Sequence, residues 1–154
     1  MSIQTNSAEE TRKVAAVLAA ALDKRAPHPL IIALDGDLGS GKTTFIQGLA
    51  RALGIKRRLL SPTFLLMRSY PIPKPLAGYH KLYHLDAYRF KRAQETETIA
   101  LQNVLCDSQN IILIEWAGNI KKALPKNSIW MKFEHGRREN ERIISLRNTN
   151  YLRI

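Results

Sequence analysis

One octapeptide constrains this chain more than any other part of it. Gly36-Asp37-Leu38-Gly39-Ser40-Gly41-Lys42-Thr43 fits the pattern G-x-x-x-x-G-K-[ST]. Glycines at these places let successive backbone N–H groups curl around an anion, an approach that a Cβ would obstruct. Lys42 can reach the β- and γ-phosphates of a nucleotide, and the Thr43 hydroxyl can ligate Mg2+. A helix that starts here would aim the positive end of its dipole at the same phosphates.

The flanking residues supply the context that such a loop needs. Pro29 to Asp35 is a short, nearly all-apolar run that reads as a buried parallel strand. From Thr44 to Leu53, Phe45, Ile46, Leu49, Ala50 and Leu53 recur at helical spacing, and Gly54 stands where a C-cap falls. Strand, glycine loop and helix in this order predict a phosphate-binding loop rather than a glycine-rich surface turn.

The rest of the chain fits an α/β, P-loop NTPase-like fold: a central parallel sheet extended by antiparallel strands and flanked by helices, as a single domain over residues 1–154. Ser7-Ala8-Glu9-Glu10 reads as a capping box that opens a helix to about Lys24, with Val14, Val17, Leu18 and Ala21 on one face. Residues 64–70 and 79–85 read as a hairpin, with Pro71, Pro73, Pro75 and Gly78 as its turn. Gln94 to Leu105 reads as helix, and 111–115 as a second buried parallel strand ending in Glu115. Ala117 to Ala123 is a short helix stopped by Pro125, and 128–133 and 142–146 alternate as strands.

Composition narrows the class. The 154 residues are 45% hydrophobic and 24% charged, as in ordinary globular proteins. The single cysteine, Cys106, allows no intrachain disulfide, and beside Val104 and Leu105 it reads as a buried structural thiol. Met1 to Glu10 has neither the basic region nor the apolar core of a signal peptide, and the longest apolar run, Val14 to Leu22, is too short to span a bilayer. A cytoplasmic protein with no membrane partner is the expectation. The net charge of +11 favours phosphate-rich partners. Lys56-Arg57-Arg58, Lys121-Lys122 and Arg137-Arg138 can track a nucleic-acid backbone or simply form a basic, solvated surface.

Beyond the loop, Glu115 follows four apolar residues at a strand's C-terminal end, the edge where ligands bind in open α/β sheets. It reads as a Walker-B-like acid for the Mg2+ shell or for water, or as a cap on the next helix. Asp86 ends the preceding run in His84-Leu85-Asp86-Ala87-Tyr88-Arg89, where a lone Asp is either a turn residue or a metal-shell ligand. Arg89 is an ion-pair partner or a phosphate contact. His84 reads as a packed or hydrogen-bonded histidine, and no Cys/His spacing suggests zinc. No Asn-Lys-x-Asp element reads guanine, and no arginine-rich lid suggests a small-molecule kinase.

Gly36 to Thr44, Ser61-Pro62-Thr63-Phe64, Tyr83 to Arg89 and Leu113-Ile114-Glu115-Trp116 together closely resemble the TsaE (YjeE-type) proteins over about residues 7–137. These are small bacterial P-loop ATPases that act with TsaB and TsaD in making N6-threonylcarbamoyladenosine at position 37 of tRNAs. The resemblance implies ATP or ADP with Mg2+, bound by Gly36, Asp37, Leu38, Gly39, Ser40, Gly41, Lys42, Thr43 and Thr44. It places Thr43, Glu115 and Asp86 at the metal. It gives Lys42, Glu115, Asp86 and Thr63 to catalysis, with Ser61 and Thr63 in a switch-like loop near the γ-phosphate. Trp116 follows the acid as the family pattern has it. Gly136-Arg137 matches a turn that approaches the nucleotide, and the entry around Ala8 resembles the segment flanking the adenine. TsaD and TsaB are the implied partners, with tRNA the substrate of the complex. Two departures stand out: Ala87 replaces a larger apolar residue, and residues 91–97 lack the usual proline, with the later helix lacking the usual glycine. A nucleotide-dependent binding or switch module with incidental hydrolysis, and a small-molecule P-loop kinase, are the alternatives.

Overall fold

The computed structural model describes residues 1–22, 28–59, 67–90, 101–149 and 152. Seven strands form one sheet: β1 (Ser2–Thr5), β2 (Leu30–Gly36), β3 (Met67–Leu76), β4 (Tyr79–Asp86), β5 (Asn110–Glu115), β6 (Ile129–His135) and β7 (Arg142–Arg147), in the order β1-β7-β6-β2-β5-β4-β3. The centre is parallel: β2 lies between β5 and β6, and β4 runs parallel to β5. Antiparallel pairs β3–β4, β6–β7 and β1–β7 extend it to both sides. This is the expected fold class.

Both faces of the central strands are covered, which is why β2 and β5 read as unbroken apolar runs. On one face, α1 (Ala8–Ala20) and α2 (Lys42–Ala52) bury Leu18, Phe45, Ile46 and Leu49 against Ile32, Leu34 and Leu113. On the other, α3 (Leu101–Leu105) and the 3-10 helix Ala117–Ala123 pack Leu101 and Ile120 against Ile112 and Ile114. The two long helices approach closely because α2 carries Gly48 at the crossing. A Cβ there would stand 2.8 Å from the Arg12 Cα and 3.1 Å from the Ala15 Cβ.

The first helix is capped by Ser7 as expected, but Glu10 reaches back one residue beyond the cap, to Asn6. Ser7 Oγ accepts the Glu10 N–H at 3.1 Å, and Glu10 Oε2 accepts the Asn6 N–H at 2.7 Å. Its inner face differs from the expectation, because the buried positions are Thr11, Ala15, Leu18 and Ala19, and Val17 is exposed. The helical stripe is rotated toward α2, with the small Ala15 at the close approach to Gly48 and Leu18 further along in the core. The expected extension to Lys24 lies outside the described residues.

Three other expectations need correction. Pro71, Pro73 and Pro75 do not form the hairpin turn; β3 runs through them to Leu76, and the turn is Ala77-Gly78. An edge strand tolerates proline, since its outer N–H groups have no ladder partner. Tyr70 and Ile72 face inward, the prolines are exposed, and the pairing slips in register between Pro71 and Leu76. Cys106 is exposed, since α3 ends at Leu105 and the thiol falls off the face that buries Leu101 and Val104. Finally, β1 was not expected at all. It is short and polar, and is held by pairing with β7 and by a 2.9 Å hydrogen bond between Thr5 Oγ1 and Thr11 Oγ1. Residues 64–66 and 94–100 of the expected strand and helix lie outside the described residues. No described helix is long and apolar enough to cross a membrane.

Candidate nucleotide site

Three parallel strands deliver the site to one edge of the sheet. β2 ends at Gly36 and feeds the loop, β5 ends at Glu115, and β4 ends at Asp86, with Leu34 and Asp86 both in register with Glu115. Loop and strand ends enclose a cleft of about 610 Å3, lined by residues 38–44 with Asp86, Tyr88, Glu115 and Trp116. Two concavities of about 690 Å3 lie elsewhere, and neither is lined by any of residues 36–44.

Gly36 is where the chain leaves the sheet. Its φ is +141°, and a Cβ would run into the Phe133 carbonyl of β6. The loop then passes into α2 at Gly41, whose φ of +104° turns the first N–H groups of the helix toward the cleft. Lys42 is 4% exposed. Its Nζ donates to the carbonyls of Gly36 at 2.6 Å and Asp37 at 2.8 Å, and sits 4.3 Å from the centre of the Trp116 ring. Burial pulls its pKa below the ordinary lysine value, and the charges of Glu115, Asp35, Asp37 and Asp86 oppose that shift.

The acids are held individually. Thr43 Oγ1 donates to Glu115 Oε2 at 3.0 Å, and His84 Nε2 lies 2.9 Å from Glu115 Oε1. Asp86 is 7% exposed, and its Oδ1 accepts the Tyr88 N–H at 2.9 Å. A hydroxyl and two carboxylates at one strand edge are hard oxygen donors. That set suits Mg2+, which takes one or two carboxylates beside phosphate and water. The residues present therefore fit the cation.

Trp116 has φ +56° and ψ +36°, left-handed values that strain a bulky residue by about 1–2 kcal/mol. That turn puts the indole over Lys42 and 5.1 Å from the Tyr88 ring. The Asn119 amide secures this corner by donating to the carbonyls of Ala87 at 3.0 Å and Tyr88 at 3.3 Å.

The structure thus brings Lys42, Thr43, Thr44, Asp86 and Glu115 together with Leu38, Gly39, Ser40 and Gly41, while Gly36 and Asp37 form the back of the loop. Ala8, Gly136 and Arg137 do not line the cleft. Ala8 is exposed at the start of α1, whose Thr11 approaches Gly41, and Gly136-Arg137 belongs to the β6–β7 turn beside the loop. Thr63 and Ser61 lie outside the described residues. Two residues escaped the sequence reading. Arg142 Nε and Nη2 donate to the Gly39 carbonyl at 3.3 and 3.1 Å, and His135 Nε2 lies 3.3 Å from the Leu38 carbonyl. No local pattern marks either, because their role depends on β6 and β7 folding beside the loop.

The family model described as "Threonylcarbamoyl adenosine biosynthesis protein TsaE" matches residues 5–144. The chain belongs to the TsaE family. Among its TsaE relatives, the tRNA threonylcarbamoyladenosine biosynthesis protein TsaE of Bacillus subtilis is 38% identical over 126 residues, 82% of this chain and 72% of that protein. The protein of the same name from Rickettsia bellii is 38% identical over 121 residues, covering 78% of this chain and 76% of the relative. The crystal structure of Bacillus subtilis YdiB superposes with a TM-score of 0.73 at 29% identity, over 95% of this chain and 83% of that one.

Proposed function

We propose that this chain is a Mg2+-dependent ATPase, a single domain over residues 1–154, that works in the cytoplasm with TsaB and TsaD. The complex would install N6-threonylcarbamoyladenosine at position 37 of tRNAs. The observation that carries this reading is the bridge from Thr43 to Glu115 across a P-loop cleft, in a chain of the TsaE family. The loop amides and the N-terminus of α2 would cradle the phosphates, and Lys42 would exchange the carbonyls of Gly36 and Asp37 for phosphate oxygens. Thr43, Glu115 and Asp86 would hold Mg2+, which when bound neutralises charge on the β- and γ-phosphates. Glu115 can also orient the attacking water, because its carboxylate is fixed at both oxygens. Arg137 and the turn that carries it would approach the nucleotide, Ala8 would flank the adenine, and Ser61 and Thr63 would respond to the γ-phosphate.

Phosphate release, measured with and without TsaB–TsaD, tests the reading. Turnover that rises in the complex is expected. A chain that binds ATP and docks but releases no phosphate would be a nucleotide-dependent switch module instead. Normal threonylcarbamoyladenosine levels in cells depleted of this protein would overturn the assignment to tRNA modification.

A further inference from the structure

We propose that His84 is a positioning residue for Glu115, fixing its carboxylate toward Thr43 from the rigid strand side whether or not nucleotide is bound. The proposal rests on the reading of the cleft as a Mg2+–nucleotide site. His84 stands on β4 two residues before Asp86, so both side chains lie on the same face of the sheet. Glu115 is in register with Asp86 on the neighbouring strand, which puts His84 diagonally across from it. The ring is fully buried, with Nε2 2.9 Å from Glu115 Oε1. A carboxylate accepts only, so Nε2 carries the hydrogen.

Glu115 therefore has one partner for each oxygen. Thr43, on Oε2, belongs to the phosphate loop and is itself a candidate cation ligand. His84, on Oε1, belongs to the interior of the sheet. Its Nδ1 is buried without a hydrogen-bond partner among the described residues. Such an orphaned polar atom is unfavourable, and an apolar residue at this place would avoid the penalty. The imidazole is thus poorly explained by packing and well explained by its hold on Glu115. Partners of this kind, one contact removed from a metal, typically change metal affinity by about 10–100-fold when lost.

The test compares His84→Leu and His84→Gln with the unaltered protein. Calorimetry gives the gain in ADP affinity that Mg2+ confers, and steady-state hydrolysis separates kcat from KM. For His84→Leu, the metal-dependent gain and kcat should each fall about tenfold or more, and KM for ATP in the presence of Mg2+ should rise with the lost gain, while metal-free ADP affinity stays within about twofold. His84→Gln, which keeps a donor at similar reach, should recover most of the gain. A Leu variant that keeps the full gain, or a Gln variant no better than Leu, overturns the proposal. On the unaltered protein, nitrogen NMR of the His84 ring should show an Nε2–H bonded to carboxylate both free and with ADP–Mg2+. Loss of that signature on loading overturns the proposal even if the Leu variant does not fold. If Mg2+ gives the unaltered protein no gain at all, the nucleotide-site reading fails instead.

Discussion

Lys42 meets its own loop before it meets any phosphate. Its ammonium is buried, shared between two loop carbonyls and the Trp116 ring, and depressed in pKa by desolvation. On the proposed reading, incoming phosphate would replace neutral acceptors with charged ones, and charge-assisted hydrogen bonds are about twice as strong. Lys42→Ala should therefore weaken ATP binding by about 1.5–3 kcal/mol in calorimetry, and equal affinities would refute the role. Glu115→Gln keeps the size and removes the charge. Hydrolysis should fall by about tenfold or more, with metal-free ADP binding little changed; unaltered phosphate release would make Glu115 a structural cap.

At the scale of elements, the phosphate loop is braced from outside by the β6–β7 hairpin. Arg142 joins the Gly39 carbonyl to those of Glu139 at 2.7 Å and Glu141 at 2.8 Å. Arg142→Ala should lower stability by about 1 kcal/mol and speed amide exchange in residues 38–41, read by denaturant titration and hydrogen exchange. Unchanged exchange there would show that the loop holds its shape alone. The α1–α2 crossing gives a second prediction. Gly48→Val forces side-chain atoms into the Arg12 backbone and should destabilise by about 1–3 kcal/mol in the same titration. Elements that declare themselves locally were legible in the sequence. The loop, the two apolar strands and the amphipathic α2 all lie where their patterns put them. β1 and the course of β3 through its prolines were not legible, because each depends on a neighbour distant in sequence. The same holds in the cleft, where Lys42, Thr43 and Glu115 stand in motifs, whereas Arg142 reaches the loop only through β7.

For the whole molecule, the surplus of positive charge sets how it meets polyanions. Titration of bare tRNA should show weak, sequence-independent binding that drops about tenfold or more between about 50 and 200 mM salt. Pull-down on TsaB–TsaD should succeed without RNA when ATP is present. Tight, salt-resistant tRNA binding by the chain alone would place RNA recognition here rather than in the complex. The sheet's borders limit how any protein partner can attach. One border is β3, with prolines at 71, 73 and 75; the other is β1, four residues long. Proline offers no N–H, and so short a strand gives a guest few rungs. Among the described residues, neither border strand is a good template for a strand from another molecule. A protein partner that docks on the described part of the chain would then meet side-chain surfaces, on the helices and at the loop end where the cleft opens.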